Sequence, residues 1–348
     1  MNSPIVDEPQ QLREKSDLAH QRRATSDEKV VEERIEKYST EALDAANTSR
    51  KAQLQKLREN SSLARLRASS ELQRLHGRED DMKLLMERLR NISEPSRGAI
   101  LVAGQSGVGK SALVKRGLQD RAEKMGIAFV GGKFDLNKNA LPYSAVADAL
   151  SSLVTHALAK NNAEKLMSDI KEALGDDMQV VTHAMGLDTL LSLDTKNTQR
   201  SSIGGKEAAN RLQYAVRRLM RAICSNVEAG VTLFIDDLQW ADVASLELLL
   251  SLMQDEDISS LLIVGAYRDN EVSDSHPLML QLREAERLGN TITTLQLSNL
   301  KLESVQSLIA EALRMEDDEG AVESLSNIVQ KKTDGNPFFV WMFLTSRE

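Results

Sequence analysis

Four short apolar runs punctuate the middle of the chain: Ala99–Ala103, Ile127–Val130, Val231–Ile235 and Leu261–Ala266. Continuous runs of this length predict strands buried on both faces of a parallel sheet. A fifth run, Ile292–Leu297, alternates, which predicts a strand at the edge side of the sheet. Gly131-Gly132 predicts the end of the second strand. Between the runs, apolar positions recur at helical spacing. They predict helices from Arg78 to about Leu89, from Ser111 onward, across Val146–Val154, and over Lys206–Val227, Ala244–Met253 and Pro277–Arg287. Residues 160–205 are more polar and less regular. They predict an inserted helical excursion that loosens into a Ser/Thr/Asn/Gly stretch near 195–205. From Lys301 the strand-like runs stop, and two or three helices are expected, near 302–314, 319–332 and 336–346.

Strands alternating with helices predict an α/β fold, a five-stranded, mostly parallel sheet with helices on both faces. Three regions follow: an extension over 1–75, an α/β core over 76–300 and the start of a helical lid over 301–348. Within the extension, Pro4, Pro9 and many charges predict little fixed structure up to residue 27. Ser26 to Leu75 contains no Gly or Pro and predicts one or two charged helices. Pairs three apart, such as Leu54/Leu57 and Leu63/Leu66, keep no single heptad register. A solvated helical linker or a weak coiled coil fits, with self-association or protein partners as its expected use.

Composition narrows this picture. The 348 residues are 41% hydrophobic and 28% charged, with net charge −8. That balance counts against a broadly basic nucleic-acid-binding surface, so nucleic acid is not the expected partner. The single cysteine, Cys224, forbids a disulfide within the chain and reads as a small buried hydrophobe. A reducing, cytoplasmic setting is expected. No run approaches the roughly 18 apolar residues that span a bilayer, and the first 30 residues lack a secretory apolar core.

The chemistry sits at strand ends. After the first apolar run comes Gly104-Gln105-Ser106-Gly107-Val108-Gly109-Lys110-Ser111, a complete GxxxxGK(S/T) loop that opens a helix at Ser111-Ala112. In such a loop the glycines free backbone N–H groups for phosphate oxygens, and the helix N-terminus adds partial positive charge. Lys110 is expected at the β/γ-phosphates of a nucleoside triphosphate, and the Ser111 hydroxyl on Mg²⁺. The third run ends in Asp236-Asp237: Asp236 is the expected carboxylate on the Mg²⁺ side, and Asp237 the expected base for the attacking water. The fourth run ends in Ala266-Tyr267-Arg268, which places Arg268 to read the γ-phosphate or, alternatively, in a surface pair with Asp269 or Glu271.

With these pieces assembled, the chain from His76 to about Phe339 resembles the signal-transduction ATPases with numerous domains. Their module is an AAA ATPase domain of the origin-recognition-complex-like type. The resemblance is carried by His76-Gly77-Arg78-Glu79, Leu141-Pro142-Tyr143-Ser144, Asp236-Asp237-Leu238-Gln239-Trp240-Ala241-Asp242, Ala266-Tyr267-Arg268 and Gly335-Asn336-Pro337-Phe338-Phe339. It implies ATP as ligand with Mg²⁺, Arg78 near the adenine, Pro337 beside the base, and a slow ATP-dependent switch inside a signalling protein. Trp240 fits either that family segment or simple core packing, and Pro337 fits either the base or a first helical position. Members continue past the GNP segment into more of the lid, so ending at Glu348 implies a lid that is incomplete here. A DNA-binding ATPase and a non-catalytic, ATP-stabilised scaffold are the alternatives.

Overall fold

The computed structural model describes residues 74–92, 98–136, 142–160, 163–187, 191, 206–258, 260–315 and 318–345. The expected N-terminal helices, the loose stretch near 195–205 and Leu141 lie outside the described residues.

Five parallel strands form one sheet: β1 (Gly98–Ala103), β2 (Ala128–Lys133), β3 (Val231–Asp236), β4 (Leu261–Tyr267) and β5 (Thr291–Gln296). Their order is β2-β3-β4-β1-β5. β3 is buried along its whole length, as an unbroken apolar run requires. The period of two along a strand then sorts side chains to opposite faces. On β1, Leu101 joins one core while Ile100 and Val102 join the other.

The first core is covered by α4 (Ser144–Lys160), α5 (Ala163–Leu174), α6 (Met178–Ala184), α7 (Lys206–Asn226) and α8 (Val243–Met253). The second is covered by α1 (Glu79–Arg90), α2 (Lys110–Val114) and the turns that follow α2, a π-helical segment Lys115–Gln119 and α3 (Asp120–Lys124). Each fully buried leucine in these cores, such as Leu85 or Leu150, contributes about 1.5–3 kcal/mol by leaving water. Helix α9 (Pro277–Arg287) lies between β4 and β5 in sequence. A third, smaller cluster (Leu300, Val305, Ile309, Val322, Val329, Val340) holds together α10 (Leu302–Leu313), α11 (Glu319–Thr333) and α12 (Pro337–Thr345).

Two expectations need correction. The second strand does not stop at Gly131-Gly132 but runs through them to Lys133, pairing with β3 as far as Asp236. A Cβ on Gly132 would lie 1.8 Å from the Ala145 carbonyl oxygen, so the glycine is there for close approach of α4 rather than for a turn. The stretch after residue 160 is also more regular than read. Leu166, Ile170 and Leu174 recur every fourth residue on α5 and are buried.

Salt links fix the long helix α7. Asp255, whose side chain has no exposed surface, accepts from Arg217 Nε at 2.7 Å and Arg221 Nε at 2.8 Å. Their guanidinium groups and the Asp257 N–H outweigh burial and hold the Asp255 carboxyl below the usual range. Cys224, on the same helix, is buried, and burial pushes its thiol up to about 12. It is a packing residue, as read.

Candidate phosphate-binding site

The candidate site lies at the carboxyl ends of β1, β3 and β4, where a parallel sheet opens its crevice. The loop from Gly104 to Gly109 leaves β1 and delivers α2, whose first residue is Lys110. Gly104 and Val108 are buried, Gln105 and Ser106 are exposed, and Ala112 follows in the first turn of α2, half-buried. Gly109 holds φ +98° at the helix N-cap, with nothing within 4 Å of where a Cβ would stand.

Lys110 is nearly buried and donates from Nζ to the Gly104 carbonyl at 2.7 Å and the Gln105 carbonyl at 2.8 Å. Burial, followed by the positive charge of Arg268, lowers its pKa. Ser111 Oγ donates to Asp236 Oδ1 at 2.9 Å, so two residues 125 positions apart meet. Asp236 is 3% exposed.

Asp237 follows in a left-handed conformation, φ 56°, ψ 47°. Its carboxylate accepts from Gln239 Nε2 at 3.0 Å and pairs with Lys133 Nζ at 2.9 Å. Burial alone would raise its pKa. The Gln239 and Lys133 bonds, with the charges of Lys133 and Arg268, outweigh that and lower it. Arg268 Nε lies 3.8 Å from Asp237 Oδ1, and its NH1 donates to Glu271 at 2.7 Å. The pairing with Glu271 is the alternative weighed from sequence, and the structure places the arginine beside Asp237 as well. Lys133 was missed because its strand reads as closed by Gly131-Gly132, ahead of it.

Arg78 is buried against the loop. Its NH2 donates to the Val108 carbonyl at 2.9 Å and the Ser298 carbonyl at 2.6 Å, and burial lowers its pKa. It ties the loop to the segment after β5. Pro337 stands at the first position of α12, where its missing N–H costs nothing. Its neighbours touch the loop: Asn336 Nδ2 donates to the Ser106 carbonyl at 3.0 Å, and the Phe338 N–H donates to the Gly107 carbonyl at 3.2 Å. Gly107 holds φ +81°, and a Cβ there would lie 2.6 Å from Asn336 Oδ1. That fit explains the glycine, and it is a contact the sequence did not single out.

Two motif segments turn out to support one another. Asp242 caps α8 by accepting from the Ser245 N–H at 2.9 Å, and the Tyr143 N–H donates to Ser245 Oγ at 3.0 Å. The Pro142-Tyr143 turn therefore docks on the start of α8, and Asp242 is a capping residue.

The chain is similar to several known proteins. The hybrid signal transduction histidine kinase G of Dictyostelium discoideum is 25% identical over an alignment covering 78% of this chain and 9% of that kinase. The chain thus spans under a tenth of that relative's length. Among solved structures, the Aeropyrum pernix ORC2 protein in its ADP form aligns at 13% identity and TM-score 0.40, covering 76% of this chain and 61% of that one. The Drosophila ORC bound to DNA aligns at 13% identity and TM-score 0.39, covering 79% and 60%. No helix among the described residues is long and apolar enough to cross a membrane. Residues 74–264, just over half of the chain, match the AAA ATPase domain family, and the chain belongs to that family.

Proposed function

We propose that this chain is an ATP-binding module of a signalling protein, with slow hydrolysis and a nucleotide-dependent switch. The carrying observation is the Ser111–Asp236 hydrogen bond, which brings the loop hydroxyl and the strand-end carboxylate together beside Lys110. A hydroxyl and one carboxylate suit Mg²⁺, which keeps several waters and takes further ligands from phosphate oxygens. No cluster of three His, Cys, Asp or Glu groups that could hold a metal exists among the described residues. When bound, Mg²⁺ would neutralise charge on the β- and γ-phosphates.

In this reading Lys110 turns from the Gly104 and Gln105 carbonyls to the β/γ-phosphates, while the loop N–H groups hold the rest. Ser111 and Asp236 orient the cation. Asp237 orients the attacking water, and Arg268 meets the γ-phosphate. Arg78 keeps Val108 in place, and the Asn336-Pro337 segment reports loop state to the C-terminal helices. Slow turnover follows from the Lys133 and Gln239 bonds that hold Asp237. Similarity to the histidine kinase supports a signalling setting. The acidic balance supports protein partners, reached through the N-terminal segment, over nucleic acid. The setting is cytoplasmic in this reading.

Lys110→Ala should abolish ATP binding in calorimetry on the full chain, and unchanged affinity would overturn the assignment. The engaged state of Asp237 also favours a second reading, a nucleotide-stabilised scaffold. Phosphate release in a single turnover separates the two, since a scaffold retains ATP without releasing phosphate.

A further inference from the structure

Arg268 is held more completely than a strand-end arginine needs to be. Its backbone N–H donates to Gln239 Oε1 at 3.1 Å, which ties the end of β4 to the turn after β3. Its guanidinium carbon lies 4.8 Å from the centre of the Trp240 ring. Its NH1 donates to Glu271 Oε1 at 2.7 Å, and the Trp240 indole Nε1 donates to Glu271 Oε2 at 3.2 Å. Three side chains therefore close a ring in which each touches the other two.

The ring fixes where Arg268 stands. Arg268 and Lys110 are close enough for the arginine's charge to act on the lysine, and like charges repel. Asp237 lies 3.8 Å from Arg268 Nε, beyond hydrogen-bonding distance, and its charge, with those of Asp236 and Asp269, opposes that repulsion. Stacking on an indole uses the face of a guanidinium and leaves anions to its edge donors, one of which Glu271 takes. A carboxylate that also takes the indole N–H fixes the rotation of both groups. The consequence is an arginine fixed in one orientation at the end of β4, within range of the charge on Lys110, an arrangement that suits an anion carrying several charges.

We infer that Trp240 and Glu271 are positioning residues that clamp Arg268 at the end of β4 and so confer preference for a nucleoside triphosphate over a diphosphate. The inference rests on the reading that Arg268 meets the γ-phosphate, and it assigns a role to two residues that act through Arg268.

The test is the affinity ratio of ATPγS to ADP, measured by calorimetry with Mg²⁺ on the full chain. Trp240→Leu and Glu271→Gln should each lower that ratio by about three- to tenfold, the range expected for losing one cation–π or one charge-assisted contact. ADP affinity should stay within about twofold, because the diphosphate does not reach the clamp. Trp240→Phe keeps a ring face and should recover most of the ratio. Arg268→Ala should lower the ratio at least as far, and adding Trp240→Leu to it should change nothing more. A ratio unchanged or raised in Trp240→Leu and Glu271→Gln, with Arg268→Ala still lowering it, overturns the clamp and leaves the γ-phosphate reading standing. A ratio unchanged in Arg268→Ala removes that reading as well. Loss of ADP binding along with ATPγS in Trp240→Leu and Trp240→Phe alike would mark Trp240 as a general packing residue and also overturn the clamp.

Discussion

At the scale of single residues, Asp237 carries two opposed influences. Burial disfavours its charge, while the Lys133 and Gln239 bonds and the Arg268 charge favour it and prevail. Lys133 in turn is held charged by Asp237, its pKa raised. Lys133→Met removes the largest nearby charge from this balance, so the Asp237 carboxyl must move up. If Asp237 acts as an ionised base, the acid limb of the phosphate-release rate against pH moves to higher pH in Lys133→Met. An unmoved limb, in a variant that still binds ATP, would separate Asp237 from the rate. Stability should change by no more than about 1 kcal/mol, because the lysine is 59% exposed and such pairs are screened. The same pair shows where reading a sequence stops. Lys110, Ser111, Asp236 and Arg268 stand in fixed relation to apolar runs, and a strand end has a known direction toward a crevice. Lys133 is one lysine among many, distinguished only by the strand register that sets it beside Asp236.

At the scale of elements, helix and strand periods locate most of the sheet, and errors fall where a residue has two uses. Glycine ends strands in most contexts, yet Gly132 lies inside β2 because α4 crosses there. Gly132→Ala would put a Cβ 1.8 Å from the Ala145 backbone oxygen, and only movement of β2 or α4 relieves it. The expected cost is about 1–3 kcal/mol, read as a lower urea midpoint with unchanged slope. Gly131→Ala is the control. Its nearest atom would be the Phe234 carbonyl oxygen at 3.3 Å, so a much smaller loss is expected there. Equal losses would show that strand propensity, not the helix crossing, decides the position. The stripe Leu166, Ile170, Leu174 was present in the sequence but lay among charged residues, and a polar average hid a period that burial obeys. The segment Leu238–Trp240 has two uses as well. Its sequence reads as a functional motif, and the structure shapes it as a short 3-10 turn between Asp237 and the α8 cap at Asp242, from which Gln239 reaches Asp237 and Trp240 stacks on Arg268.

At the scale of the molecule, the loop is bound from two sides by segments far away in sequence. Arg78 holds the Val108 carbonyl, and Asn336 holds the Ser106 carbonyl. The residue before Gly77 reaches the C-terminal helices: His76 Nε2 lies 2.7 Å from Glu311 Oε2, and a Cβ on Gly77 would meet Ser304. The α10–α12 cluster is small and has its own core, so its attachment to the sheet depends on few contacts and can open locally at modest cost. Asn336 Oδ1 also accepts from the Phe338 N–H at 3.1 Å, which makes it both the start of α12 and its link to the loop. Asn336→Ala therefore removes both at once, with an expected loss of about 1–2 kcal/mol. Amide exchange should accelerate over Leu302–Thr345 and stay unchanged in β1 and β3, because the sheet keeps its own ladder. ATP binding should slow exchange in the C-terminal helices of the unaltered chain and lose most of that effect in Asn336→Ala. Acceleration spread evenly over sheet and helices would mean that Asn336 supports the whole fold. Full retention of the ATP effect would mean that loop and helices are coupled through the Arg78 side instead.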